Sequence, residues 1–337
     1  MVELTNPATM MSRRYKPEEI PDQTGRVAIV TGGSAGVGFY DALELAQKNA
    51  RVIIISATED HGKKAEAEMN QHVKEKGATG SVEWIGLDLG DLKAVDSLSK
   101  KLASELPRLD ILMLNAGIGQ APYGRTKDGL GNHFAVNDLS HYVMSLRLLP
   151  LMENTVSSGQ TPPAMARIVF QSSELHRMAP SNVKFSSKEE INDGPDRDPT
   201  VLYGRSKLGM IYNAKGLAKR KLNSETKIVV TAVHPGTVDT DLQDATAESY
   251  GFLGKVLDSF MRTIGKSAQE GAEASLWAAT STEITSNNWQ EYQANYYSEA
   301  KGKPHTESDK AKDESIADNY WELCANLTKE YLGEELR

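Results

Sequence analysis

The chain has 337 residues, 39% of them hydrophobic and 25% charged, which supplies enough apolar material for a sizeable core. A net charge of −8 argues against nucleic acid or an anionic membrane as the main partner. The single cysteine, Cys324, excludes an internal disulfide and fits a reducing compartment, so a cytoplasmic location is expected.

Residues 1–24 are polar and punctuated by Pro7, Pro17 and Pro21, which reads as an arm without a signal peptide. No segment approaches the ~18 consecutive apolar residues of a membrane span. From residue 25 onward, short β-branched runs alternate with helical patterns. Strands are expected at 27–30, 52–56, 82–87, 111–114, 168–171 and 228–233. Helices are expected at 39–48, 63–76, 92–106, 129–149 and 203–222. Such alternation implies an α/β fold, a doubly wound parallel sheet in one domain over 25–337. Residues 174–201, polar and carrying Pro180, Pro195 and Pro199, read as a surface insertion. Residues 242–266 hold Phe252, Leu253, Val256, Leu257, Phe260 and Met261 at helical spacing. Ile316, Tyr320, Leu323, Cys324, Leu327 and Tyr331 predict a C-terminal amphipathic helix.

The first strand runs into Thr31-Gly32-Gly33-Ser34-Ala35-Gly36-Val37-Gly38 and then a helix. Glycines there permit a tight turn and let the backbone approach a pyrophosphate, which the helix N-terminus attracts. No Gly-Lys-Ser/Thr follows, which excludes a nucleoside triphosphate loop of the Walker type. The same residues spell G-x-S-x-G, a nucleophile elbow, which would make Ser34 a hydrolase nucleophile with His234 or His305 as base. An elbow needs strands and an oxyanion loop upstream, whereas this one follows the first strand. Further on, Tyr203 and Lys207 stand at i and i+4, one turn apart on one helix face. A fixed cation beside a phenol stabilises the phenolate and lowers its pKa. The seven histidines form no H-x-x-x-H or Cys/His cluster, so metal binding is not expected.

Taken in order, these segments resemble the short-chain dehydrogenase/reductase family over roughly 25–280. Gly32, Ser34, Gly36, Val37 and Gly38 match its cofactor loop. Asp88, with Leu89, matches the acid that binds the adenine amine. Asn115-Ala116-Gly117 matches the turn supporting the central sheet, and Asn137 the asparagine that holds a relay water. Ser173 matches the catalytic serine, and Tyr203 and Lys207 match Y-x-x-x-K. Pro235-Gly236, with Thr237, Val238 and Thr240, matches the turn contacting the nicotinamide carboxamide. Ser-Ser-x-x-His at 172–176, Ser206-Lys207-Leu208, His234-Pro235-Gly236 and Gln269-Glu270-Gly271-Ala272 resemble the retinol-dehydrogenase and WW-domain-oxidoreductase-like branch.

The resemblance implies a Rossmann-type fold and hydride transfer between nicotinamide and a carbonyl or alcohol carbon. It implies Tyr203 as general acid/base, Ser173 as oxyanion donor, Lys207 as ribose ligand and tuner of the phenol, and Asn137 as anchor of the relay. Ser56-Ala57-Thr58 at the end of the second strand lacks the acid that would repel a 2′-phosphate. Ser56 and Thr58, with His61, Lys63 or Lys64, point to NADPH, with NAD left open. The apolar stripe at 242–266 lies where the family places its substrate lid, which implies a hydrophobic carbonyl or alcohol substrate. A non-catalytic dinucleotide sensor is a further alternative, against which the intact Ser173, Tyr203 and Lys207 argue. Many relatives form tetramers through the two helices expected at 129–149 and 203–222. The insertion at 174–201 is expected to obstruct that surface and leave a monomer or homodimer.

Overall fold

The computed structural model describes residues 14–158, 165–193, 197–223, 225–236 and 267–336. Its strands are β1 (Val27–Thr31), β2 (Arg51–Ser56), β3 (Ser81–Gly86), β4 (Ile111–Leu114), β5 (Ala166–Gln171) and β6 (Ile228–Val233), with a two-residue edge β7 (Tyr296–Tyr297). They form one parallel sheet in the order β3-β2-β1-β4-β5-β6-β7. Every residue of β1, β4, β5 and β6 is buried, which is why these strands read as continuous apolar runs rather than as alternation. The order reverses between β1 and β4. Ligands of such sheets bind in that crevice, outside the carboxyl ends of the strands.

In chain order the helices are α1 (Gly36–Gln47), α2 (Glu59–Glu75), α3 (Leu92–Glu105), α4 (Ser140–Ser157) and α5 (Lys188–Asp193). They continue with α6 (Pro199–Lys221), α7 (Ala268–Thr280), α8 (Asp309–Lys312) and α9 (Glu314–Leu332). Strand alternation divides the core into two layers. Ile29, Ile53, Leu112, Ile168 and Val230 face α3, α4, α6 and α9. Ala28, Val30, Ile54, Met113 and Val169 face α1, α2 and α7.

Several elements depart from the sequence expectation, α2 among them, which begins four residues early at Glu59, and three lie near the site. The helix expected at 129–149 begins later, because Gly129 takes φ 75° and Arg125 pairs with Gly131 in a short antiparallel bridge. A π-helical turn, Phe134–Leu139, then leads into α4. The helix expected at 203–222 begins earlier, at Pro199, where the Asp198 side chain accepts from Thr200 N and Val201 N and proline occupies the first turn. The insertion at 174–201 is not wholly at the surface. Val183, Phe185 and Ile191 are buried, and the Phe185 ring meets those of Tyr212 and Tyr320 edge-on at 5.9 and 5.1 Å. The arm is docked from Arg14 onward. Arg14 reaches Glu273 at 2.6 Å, and the buried Tyr15 hydroxyl meets Thr280 Oγ1 at 3.1 Å. Among the described residues no helix is long and apolar enough to cross a membrane.

Candidate active site

At the carboxyl end of β1 the chain turns at Gly32, whose φ is 67°. A Cβ there would lie 2.8 Å from Ala116 Cα, and one at Gly38 would lie 2.4 Å from both Gly32 O and Asn115 Nδ2. Both positions therefore require glycine. The loop enters α1 at Gly36 without a side-chain cap, since Ala35 has none to offer. The first N–H groups of the helix are left for an anion. Val37 is buried beneath, while Ser34 and Ala35 lie towards solvent. This cradle fits the pyrophosphate of a dinucleotide: it is narrow, uncharged and lined with backbone donors.

Asn115 fastens the glycine turn to β4 by donating from Nδ2 to Thr31 O at 3.1 Å. Thr31 Oγ1 accepts from Asn115 N at 2.9 Å and Ala116 N at 3.0 Å. With both lone pairs used, its hydrogen goes to His141 Nε2, 3.0 Å away. That leaves the His141 Nδ1–H to donate to Asn137 O at 2.9 Å. Burial pushes the His141 pKa down to about 3, so the imidazole is neutral and serves as a strut.

Asn137 sits in the π-helical turn, a local geometry frequent at functional sites. Its Oδ1 accepts from Ile118 N at 2.9 Å, and its Nδ2 donates to Ile118 O at 3.1 Å and Ser206 Oγ at 2.9 Å. Ser206 Oγ in turn donates to Tyr203 O at 2.8 Å. Asn137 is thereby tied to the helix carrying Tyr203 and Lys207. Gly117 keeps the space between these groups open, since a Cβ there would stand 3.1 Å from Asn137 Oδ1 and 3.4 Å from Lys207 Nζ.

Ser173 follows β5 and caps the 3₁₀ turn Glu174–Met178, accepting from Leu175 N at 3.2 Å. The Lys207 ammonium donates to Gln171 O at 2.9 Å and lies 5.4 Å from the centroid of the Tyr203 ring. Burial pushes the Tyr203 phenol up to about 12, and the Ser173 hydroxyl beside it draws it partly back. Burial also pushes Lys207 down to about 8, partly offset by the Asp138 carboxyl. Desolvation is the largest influence on both groups. His176 is structural, its Nδ1 donating to Ser173 O at 2.7 Å and its Nε2 accepting from Ser308 N at 3.0 Å.

Asp88 is exposed and its Oδ1 accepts from Gly90 N at 2.8 Å, while Leu89 is buried in the core. Ser56 ends β2 and Thr58 precedes α2. Lys63 is paired with Glu59 at 2.5 Å on the exposed face of α2. Pro235 and Gly236 follow β6, with Gly236 at φ 91°. Thr237, Val238, Thr240 and the stripe at 242–266 lie outside the described residues. Sequence reasoning did not assign roles to Thr31, His141 or Ser206. The first and last lay inside quoted motifs, whereas nothing in the pattern marked His141 as their neighbour.

The short chain dehydrogenase family profile matches residues 26–185. Human retinol dehydrogenase 14 is 30% identical over 89% of this chain and 85% of its own length. The chain belongs to the short-chain dehydrogenase/reductase family. Within it, the branch of retinol dehydrogenases and WW-domain oxidoreductases is the one it joins. The WW domain-containing oxidoreductase of Drosophila melanogaster is 29% identical over 93% of this chain and 71% of its own. A solved short chain dehydrogenase from Burkholderia cenocepacia in complex with NADP is 27% identical, covers 74% of this chain and 89% of that one, and superposes with a TM-score of 0.54. As a family member the protein is an NAD(P)-dependent oxidoreductase that uses a nicotinamide dinucleotide. Membership of an oxidoreductase family speaks against the nucleophile-elbow reading of the glycine loop, and Ser34 has no hydrogen-bond partner among the described residues.

Proposed function

We propose that this enzyme is an NADPH-dependent reductase of a ketone or aldehyde carried on a hydrophobic small molecule. The observation that carries the reading is the convergence of three side chains, with the Ser173 hydroxyl beside the Tyr203 phenol and the Lys207 ammonium 5.4 Å from its ring. The phenol keeps its proton at neutral pH and can hand it to a developing alkoxide, the general-acid role that carbonyl reduction needs. Ser173 supplies a hydrogen bond to the same oxygen. When bound, the nicotinamide supplies the hydride to the carbonyl carbon. Lys207, held by Gln171 O, and Asn137, held by Ile118 and Ser206, fix the geometry around the phenol. The cradle of Gly32, Gly36, Val37 and Gly38 would hold the pyrophosphate, and Asp88 and Asn115 would flank the adenosine and the ribose beyond it.

Two features support the narrower parts of the reading. At the end of β2, Ser56, Ala57 and Thr58 offer no carboxylate against a 2′-phosphate. Met178 is 50% exposed, the one large hydrophobic side chain so exposed among the described residues, and it lies over Gly204 beside Tyr203. An apolar substrate would cover it.

The test is NADPH oxidation followed against a panel of aliphatic, aromatic and polycyclic aldehydes and ketones, with wild type and Tyr203→Phe. Turnover is expected on apolar members of the panel. Tyr203→Phe should lower it by roughly 10²–10⁴-fold while NADPH still binds, because the phenol serves the proton and not the dinucleotide. A variant retaining more than about a tenth of the activity would remove Tyr203 from the chemistry. Tight NADPH binding with no turnover on any carbonyl would instead favour the sensor.

A further inference from the structure

The adenosine end of the site contains a tryptophan with a specific tie to β2. Trp84 on β3 stands in register with Ile54 of β2, so Ser56, two residues on, projects from the same face. The Trp84 indole N–H donates to Ser56 Oγ at 3.0 Å. Two glycines make room for the ring. A Cβ at Gly62 in α2 would lie 2.0 Å from the indole nitrogen, and one at Gly86 would lie 3.0 Å from the ring edge. The glycine loop is close by, because a Cβ at Gly33 would strike the Ile54 side chain at 2.5 Å. Ser56 is therefore next to the loop, where the adenosine ribose of a dinucleotide seated on Gly32–Gly38 would arrive.

A hydroxyl carries one hydrogen and two lone pairs. At Ser56 the indole takes a lone pair, and among the described residues the hydroxyl makes no further hydrogen bond. Its hydrogen is left to be donated outward, and the indole restricts the rotation that would turn it away. We propose that Trp84 is a positioning residue for cofactor selection, holding the Ser56 hydroxyl as a donor aimed at the adenosine ribose so that a 2′-phosphate is preferred over a 2′-hydroxyl. This inference rests on the NADPH reading above and names the residues that set it. A phosphate oxygen only accepts, and a bond to it is charge-assisted. A ribose 2′-hydroxyl can also meet Ser56, through its remaining lone pair or its hydrogen, but only in a neutral hydrogen bond, and Ala57 adds no acceptor. The contrast also explains why an uncharged β2 end can discriminate without an arginine.

The adenosine end is tested alone, by calorimetric titration with adenosine 2′,5′-bisphosphate and with 5′-AMP, so that turnover plays no part. Wild type should bind the bisphosphate about fivefold more tightly, the difference between a charge-assisted and a neutral hydrogen bond. Trp84→Phe keeps the ring but loses its N–H, and Ser56→Ala loses the hydroxyl. Each should bring the ratio of the two affinities close to one. The double variant should lose no more than either alone, because both act through one hydroxyl. If Trp84→Phe does not fold by circular dichroism, Gly62→Ala is expected to give the same loss, since its Cβ takes the place of the indole nitrogen. A wild-type ratio kept by Trp84→Phe, or by Gly62→Ala in its place, overturns the role of the indole. A ratio kept by Ser56→Ala overturns the device as a whole. Equal or weaker binding of the bisphosphate by wild type overturns the NADPH reading itself, a failure visible without any variant.

Discussion

Burial sets the protonation of the site's two titrating residues in opposite senses. Tyr203 at about 12 holds its proton throughout the physiological range, while Lys207 at about 8 loses its charge just above it. If reduction needs a proton on the phenol and a charge on the ammonium, kcat/KM should be level below pH 8 and fall above it. In Lys207→Arg, whose guanidinium stays charged, the falling limb should move to higher pH even though the rate itself drops. A limb that stays in place would show that another group sets it. Asp138, adjacent to Asn137 in the chain, is a third buried group, and neither of its oxygens has a hydrogen-bond partner among the described residues. Lys207 and Arg205 on α6 and Tyr320 on α9 face it and draw its pKa down, yet burial outweighs them and raises it well above 3.8. The folded state then binds this proton more tightly than the unfolded state. Its contribution to stability is fully present below pH 3.8 and is lost as pH rises towards the folded value, by up to about 1.4 kcal/mol per unit. Asp138→Asn removes that dependence, so the stability of the variant relative to wild type should grow between pH 5 and pH 8 in urea titrations. A difference constant over that range would mean that Asp138 is ionised in the fold. The protonation of none of these three residues was legible in the sequence. The Y-x-x-x-K spacing placed the phenol and the ammonium on one turn, but it carried no information about how deeply α6 is buried.

Elements with a clean period were the ones most readily recovered, and their ends were decided by chemistry that the period does not report. β4 and β6 fall where their apolar runs predicted. The start of α6 was set by Asp198 and Pro199, a cap and a first-turn proline that were present in the sequence but read as part of a loop. The π-helical turn had no signature, because its widened hydrogen bonding comes from packing and not from composition. The C-terminal helix α9 shows why an amphipathic stripe alone is ambiguous. Its Trp321 is buried edge-on against Tyr142 at 4.9 Å, and Arg220 lies 5.2 Å over the ring. The ring fills a recess at Gly216, where a Cβ would stand 2.3 Å from it. Trp321→Ala should therefore cost about 3–5 kcal/mol, read as a lower denaturant midpoint at unchanged m-value. A loss under about 1 kcal/mol would show α9 to be only loosely attached.

At the scale of the whole molecule, strand–helix alternation made the doubly wound sheet legible, but the placement of α9 was not, since no local pattern says which face a terminal helix will cover. It packs on α6 and α3 within the core layer shared by Leu323, Cys324, Leu327, Leu208 and Tyr212. From Leu202 to Ala214 every residue of α6 is buried, so it is enclosed by the sheet, the insertion and α9 rather than presenting a free face. Phe185 and the backbone carbonyls of Glu190 and Ile191, which accept from Arg205 at 2.9 Å, complete the cover. Cover of α6 is thus shared between the insertion and α9. Helices that pair between subunits must expose an apolar stripe, and α4 and α6 spend theirs inside the chain. Light scattering at micromolar concentration is expected to give a monomer near the chain mass of 36.9 kDa. The C-terminal truncation ending at Lys312 should expose Tyr212 and Leu208 and either self-associate or unfold. A stable tetramer of the intact protein would mean that association uses another surface, or that α9 leaves its place to allow it.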